Sequence, residues 1–353
     1  MPDPFAPYFT ATGIGTLPFM DPREAVDAVC DRLTAMPYWP QLPQRTAIED
    51  MNLQYARALT PLVATNLEER HLVAHPGLSR EEALAAFYER LLAGPEEGFG
   101  LLPDEAAGFF VFRERVAAAG AGQYPWLKGH VTGPLTLAAS VLGSDGKALL
   151  YDDEMAEAIA KGLGLAAAAQ ARQLAPFGRP LMIFFDEPFL SGYGSAFSPV
   201  NREKVIALLS LAAQETRQRM PAVLGVHCCG NTDWGMLVES GLDVLNLDSA
   251  GFGEHLLLYP EALKKLFARG GAVAWGAVPT IGYTGEETAQ DLWAGLRGLL
   301  DKLVAQGFDP ATLARQALVT PACGLGSLSQ DKALAILDLT RQVAKLARAE
   351  FAI

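Results

Sequence analysis

The sequence predicts an α/β protein built as a (β/α)₈ TIM barrel, and three observations carry that prediction. Short apolar runs recur along the 353 residues at spacings that leave room for a helix between most of them. Most runs are apolar on both faces, as strands of a buried parallel sheet are. Polar motifs fall just after the runs: TGIGT, HVTGP, FFDEP, HCCGN, NLDS, WGAVPT and TPACGLG. In a barrel all of these meet at the C-terminal mouth, where active sites are built. Eight β-then-α units fit a closed barrel, and a doubly wound open sheet is the alternative.

The expected strands are 10–14 (TATGI), 36–43 (MPYWPQLP), 127–132 (LKGHVT), 181–185 (LMIFF), 222–227 (AVLGVH), 243–247 (DVLNL), 272–276 (AVAWG) and 316–320 (QALVT). The second is weakened by Pro37, Pro40 and Pro43, since proline cannot donate to a ladder. Helical periodicity fills the gaps, as in VNREKVIALLSLAAQETRQRM and TAQDLWAGLRGLLDKLVAQG, where Gly307 is placed to cap the helix C-terminus. AAAAQARQLA reads simply as a good helix former. Residues from about 50 to 125 are too many for one crossover. They read as a helical insertion after the second strand, with helices in TPLVATNLEERHLVAHPG, SREEALAAFYERLLAG and PDEAAGFFVFRERVAAAGAG. The insertion either caps the mouth or forms a homodimer contact. With no internal repeat and no low-complexity linker, one domain over 1–353 is expected.

Composition narrows the function. A chain that is 50% hydrophobic and 19% charged is globular. A net charge of −12 argues against a long phosphate-binding surface, so nucleic acid is not an expected partner. MPDPFAPYFT has neither the basic stretch nor the apolar core of a signal peptide, and LGLAAAAQARQLA is broken by polar residues well short of a membrane span. Four cysteines, two of them adjacent, make no disulfide framework. A reducing cytoplasm with metal or thiol chemistry is the expectation.

The chemistry concentrates in GVHCCGNTDW and TPACGLGSL. At the end of a strand, His227 and Cys229 point one way and Cys228 the other, so Cys228 reads as structural. One imidazole and two thiolates, with Cys323 following another strand, suit zinc with a fourth position open. Core histidine with buried thiols is the competing reading. Asp248, ending the next strand, is a fourth ligand, a partner of His227 or a helix cap. Asp186 and Glu187 hold a substrate ammonium, act as acid and base, or serve as a cap or structural ion pair. Gly13, Gly15 and Thr16 make a turn whose N–H groups can receive a carboxylate, or an ordinary turn. The turn lacks the third glycine and strand–helix context of a dinucleotide fingerprint. His130, beside Thr132 and Gly133, reads as a binding or polar core residue. Trp126, Trp234, Trp275, Tyr193 and Tyr283 read mostly as core.

Taken in order, IGTLPF, HVTGPLTLA, DEPFL, VHCC, NLDS and PACGLGS resemble the C-terminal catalytic domain of cobalamin-independent methionine synthase. They also resemble its short stand-alone relatives in the uroporphyrinogen decarboxylase/methionine synthase-like superfamily. The match spans nearly the whole chain as scattered motifs, and the His-x-Cys with PxCGL pair is its most specific part. The resemblance implies a barrel whose zinc activates the thiol of homocysteine for methylation to methionine. It implies His227, Cys229 and Cys323 as zinc ligands, with Asp248 where the full-length enzyme has a glutamate ligand. It implies that Asp186 binds the amino group, and that Thr16, beside Gly15, matches a serine that helps hold the amino acid.

Two departures bear on the methyl donor. Only about ten residues precede the first strand, leaving no place for the N-terminal barrel that helps bind methyltetrahydrofolate in the full-length enzyme. The family's HGE segment is replaced by WPQLPQRTAIEDM, where Glu49 and Asp50 fall out of register. Short relatives are thought to use a methylcorrinoid, so zinc and methylcorrinoid are the expected cofactors. A small-molecule thiol and a corrinoid protein are the expected partners. The rivals are a metal-free decarboxylase acting on a carboxylated tetrapyrrole and a non-catalytic corrinoid- or metal-binding accessory protein.

Overall fold

The computed structural model describes residues 5–94, 98–120, 122–194 and 200–352. Nine strands occur among them: β1 (Thr10–Ala11), β2 (Val63–Asn66), β3 (His71–Ala74), β4 (Leu127–Thr132), β5 (Leu181–Asp186), β6 (Val223–Cys228), β7 (Val244–Asp248), β8 (Ala272–Val278) and β9 (Ala317–Pro321). Seven form one curled, wholly parallel sheet in the order β1-β9-β8-β7-β6-β5-β4. Sequential strands are neighbours from β4 to β9, as repeated β-then-α units require.

The eighth expected strand, 36–43, is not a regular strand. It lies across the gap between the two edges of the sheet, where Tyr38 bridges Lys128 and Gln41 bridges Thr16. Pro37, Pro40 and Pro43 have no N–H to give, so pairing stops at isolated bridges. The predicted closed eight-stranded ladder is thus corrected to a seven-stranded curled sheet with an irregular segment in the gap.

The helices are α1 (Pro22–Arg32), α2 (Arg80–Ala93), α3 (Ala107–Ala118), α4 (Pro134–Ser140), α5 (Asp153–Leu174), α6 (Arg202–Arg217), α7 (Trp234–Glu239), α8 (Ser249–Leu256), α9 (Pro260–Ala268), α10 (Ala289–Ala305), α11 (Pro310–Arg315) and α12 (Gln330–Glu350). Their ends follow ordinary capping chemistry. Asp21 accepts from the Arg23 N–H at 2.7 Å ahead of Pro22. Ser79 and Glu82 form a reciprocal box at the start of α2. Gly307 takes the left-handed backbone (φ +91°) just past α10.

The insertion is partly mis-predicted. Helices α2 and α3 lie where expected, but residues 60–77 contain the antiparallel hairpin β2–β3, with Val63 opposite Ala74 and Asn66 opposite His71. β-branched Val63, Thr65 and Val73 prefer a pleated surface, and the polar NLEER between the runs supplies the turn.

Alternation within the sheet places the site. Ile183, Phe185, Leu245, Leu247, Val273, Trp275 and Val319 face the helices and join the main core. Their neighbours Met182, Phe184, Val244, Ala272, Ala274 and Leu318 form a separate inner cluster with Met36. Each such Met, Phe, Val or Leu contributes about 1.5–3 kcal/mol by burial. Two residues further along the same inward columns come Asp186, Asn246 and Thr320. The next strand adds His227 in register with Asp186 and Asn246. The inside is therefore an apolar plug at one end and a polar floor at the mouth.

Gln170 of α5, in the stretch read only as a helix former, is a buried clamp. Its Oε1 accepts from Trp39 Nε1 at 3.0 Å and His130 N at 3.1 Å, and its Nε2 donates to His130 O at 3.0 Å. Gln170→Ala leaves buried polar groups unpaired. It is expected to lower unfolding stability by about 2–4 kcal/mol, read from the urea midpoint. A loss below about 0.5 kcal/mol, typical of surface positions, would show that the clamp carries little.

Candidate metal centre

His227 and Cys229 share the inward face at the end of β6, and Cys323 sits two residues past the end of β9. One donor atom from each lies within 4.8 Å of the others. His227 is buried, while both cysteines are half-buried and so reachable from the mouth. Cys228 turns into the helix-side core, where burial pushes its thiol up to about 12.

The three groups share protons. Hydrogen bonding from the Cys323 thiol, and then from His227, holds Cys229 down to about 4. The same contact with Cys229, reinforced by burial, pushes Cys323 far up. Burial by itself would lower His227. Its contact with Cys229 and the charge of Asp186 outweigh burial and leave it above the ordinary histidine range. His227 Nδ1 lies 2.6 Å from Asn246 Oδ1, whereas Nε2 is covered and lacks a well-formed hydrogen bond.

A metal ion fits this arrangement. Ligand atoms of a tetrahedral zinc lie about 3.5–3.8 Å apart, from Zn–S and Zn–N lengths of about 2.3 and 2.0–2.1 Å. That falls within the observed 4.8 Å envelope. An imidazole nitrogen with no well-formed bond, facing two thiols, is the borderline-soft donor set zinc prefers.

The other expected residues divide between site and scaffold. Asp186, in register with His227, keeps some exposed surface, but its Oδ1 is covered and unpartnered. Burial raises its pKa to about 6, with His227 and Lys128 opposing. Asp248 is not drawn into the cluster; its carboxylate caps α8, accepting from Gly251 N at 2.8 Å. Burial raises it, and the nearby charge of Cys229 adds to that. Thr16 Oγ1 accepts from Gly326 N at 3.2 Å, bracing the loop that carries Cys323. Gly324 allows that approach, because a Cβ there would lie 2.2 Å from the Thr16 hydroxyl. Gly15 packs on the His130 ring, where a Cβ would come within 2.8 Å.

Glu187 is scaffold: it accepts from Leu135 N at 2.9 Å and from Thr136 N and Oγ1 at 2.8 and 2.6 Å, seating α4. Glu49 is buried, accepts from Leu42 N and pairs with Arg45, while Asp50 accepts from Asn52 N. His130 is buried and stacked on Trp39 at 4.1 Å. Burial, with the Lys128 charge, holds it well below its ordinary pKa. Trp234 and Trp275 are core, as read.

Two residues escaped the sequence reading. Lys128 is wholly buried, donates to Ile14 O at 2.6 Å and sits 4.4 Å over the Phe184 ring. Burial pushes it down to about 8 against the pull of Asp186. Its shared parity with His130 and Thr132 was the available signal. Asn246 shares parity with Asp248 in the same way. A cavity of about 980 Å³ between the β2–β3 hairpin and residues 142–152 includes none of the cluster residues.

No protein-family model matches the chain, and no curated protein matches it. Among solved structures it is similar to one described as a B12-independent methionine synthase from Shewanella sp. W3-18-1 in complex with selenomethionine. That likeness has 16% identity and a TM-score of 0.57, covering 98% of this chain and 99% of the other. It establishes a shared fold. The neighbour's independence of B12 gives no support to the expected methylcorrinoid. Among the described residues no helix is long and apolar enough to cross a membrane.

The purified protein is expected to take up about one zinc per chain and to release protons as it does. The high Cys323 pKa means that this thiol is protonated at neutral pH and must lose its proton to bind. Affinity should therefore rise with pH. Cys323→Ser should retain less than about a tenth of the zinc, since one of three protein donors is gone. Elemental analysis and titration in weak buffer read both effects; full zinc in the variant, or uptake without proton release, would rule this centre out.

Proposed function

We propose that this protein is a zinc-dependent thiol S-methyltransferase whose acceptor is homocysteine and whose product is methionine. The observation that carries the reading is the His227–Cys229–Cys323 triangle, in which Nε2 faces the thiols without a well-formed hydrogen bond. Three protein donors leave a fourth position for substrate, as catalytic zinc sites do. When bound, zinc stabilises the thiolate form of a ligated thiol at neutral pH.

The chain's own residues supply recognition and orientation. Asp186 presents a covered carboxylate oxygen without a partner. A buried charge of this kind is costly unless matched, and the ammonium of an amino-acid substrate is the matching group. With its pKa raised only to about 6, Asp186 is still mostly ionised at neutral pH, the correct sign for that task. The Gly13–Thr16 turn, anchored through Ile14 O by Lys128, lies beside the Cys323 loop and offers N–H groups to a substrate carboxylate. Fixing both ends of the amino acid orients its sulfur for in-line attack. The S–C bond forms as the bond from methyl to its carrier breaks, and the electron pair leaves with the carrier. Fold similarity to an enzyme described as a methionine synthase supports this reading.

A decarboxylase for a polycarboxylated tetrapyrrole would want several cations at the mouth. The cation in the inward column described above is Lys128, whose ammonium already serves Ile14 O.

Asp186→Asn should raise KM for homocysteine about 10–100-fold, the equivalent of one charged hydrogen bond, with zinc content unchanged. A thiol without an amino group, such as 4-mercaptobutanoate, should be affected less than about threefold, because no charged hydrogen bond is lost. Assays offering a folate-borne and a corrinoid-borne methyl group read this and identify the carrier. Zinc-loaded protein that transfers neither methyl to any thiol, or an Asp186→Asn variant that loses both thiols alike, would count against the reading.

A further inference from the structure

Asn246 lies fully buried in the middle of β7. Its side chain reaches three other strands. Oδ1 is 2.6 Å from His227 Nδ1 on β6, and Nδ2 donates to Ala274 O on β8 and to Thr320 Oγ1 on β9, both at 2.8 Å. Thr320 is three residues ahead of Cys323.

The chemistry of these partners fixes the direction of every bond. A backbone carbonyl can only accept, so the amide nitrogen must face Ala274. Flipping the amide would set two carbonyl oxygens against each other and leave the Nδ2 hydrogens without that acceptor. The amide oxygen therefore faces His227, and an acceptor there requires the ring proton on Nδ1. In the neutral ring the lone pair then belongs to Nε2, the atom without a well-formed bond. An aspartate could not replace this residue, because a carboxylate has no hydrogen for the Ala274 carbonyl.

We propose that Asn246 is a positioning residue that locks His227 in the Nδ1–H tautomer, aims its Nε2 lone pair at the Cys229–Cys323 pair, and through Thr320 ties the histidine strand to the strand leading into Cys323. The functional meaning rests on the metal-centre reading; the lock itself is a property of the folded chain. Hydrogen-bonded partners of metal-binding histidines typically change metal affinity 10–100-fold when removed.

The test is long-range ¹H–¹⁵N NMR of His227 in the zinc-free protein at alkaline pH, where the ring is neutral, beside competitive zinc titration. Wild type, Asn246→Ala and Thr320→Val are compared, with thermal unfolding to verify folding. Wild type should carry the ring proton on Nδ1. Asn246→Ala should lose that preference and bind zinc about 10–100-fold more weakly. Thr320→Val should keep the tautomer, since Ala274 still orients the amide, and weaken zinc by only about two- to fivefold, as a partner one step further out. A wild-type proton on Nε2, or an unchanged tautomer in folded Asn246→Ala, overturns the proposal. The wild-type spectrum decides even if that variant does not fold. A wild type that binds no zinc but holds the Nδ1 proton, with the preference lost in Asn246→Ala, supports the lock and overturns the metal reading instead.

Discussion

Side-chain alternation along buried parallel strands is the constraint on which everything else here depends. Because the period is two, one strand serves two environments at once. On β6 the odd-numbered residues reach the inside and the even-numbered ones the helix layer, so His227 and Cys229 meet while Cys228 packs away from them. The parallel register then sets Asp186 and Asn246 beside His227 on the neighbouring strands. A slip of one residue would exchange the polar floor for apolar side chains and dismantle both the core and the site.

The same columns explain how a polar centre survives inside an apolar sheet. Phe184, Val244 and Leu318 fill the lower interior, and each is followed two residues later by a polar group at the mouth. The plug supplies burial energy and excludes water from below, which strengthens electrostatic interactions above it. It also makes unpaired polar atoms expensive. Four such atoms lie near the mouth: Asp186 Oδ1, both ring nitrogens of His130, and His227 Nε2, which has no well-formed bond; others, such as Arg113 Nε and Gln316 Oε1, lie elsewhere in the fold. Such local breaches of polar satisfaction are where function is expected to sit.

Around this centre the polar groups that are satisfied act as scaffold. Glu187 seats α4, Glu49 and Arg45 brace the segment after the irregular gap, and Gln170 holds His130 from outside the sheet. Glu187 looks like a candidate acid or base when read as a letter in a motif. A neighbour distant in sequence converts it to a structural role, since Thr136 lies 51 positions away.

Local chemistry in the sequence was enough to determine seven of the sheet strands to within a few residues, the opposition of Cys228 to Cys229, and the gathering of His227, Cys229 and Cys323. These follow from apolar runs, period-two alternation and the placing of polar motifs at strand ends, all properties of short segments. Three matters were decided only in the tertiary structure. Prolines left residues 36–43 as bridges across a gap, because pairing depends on what both edges can donate and accept. The hairpin at 63–74 replaced a helix, because its apolar residues pack on a surface the segment itself does not contain. Lys128, Asn246 and Gln170 acquired their roles from partners 19 to 131 positions away. A buried polar side chain is defined by what satisfies it, and hydrogen bonds between distant strands leave no period in the sequence.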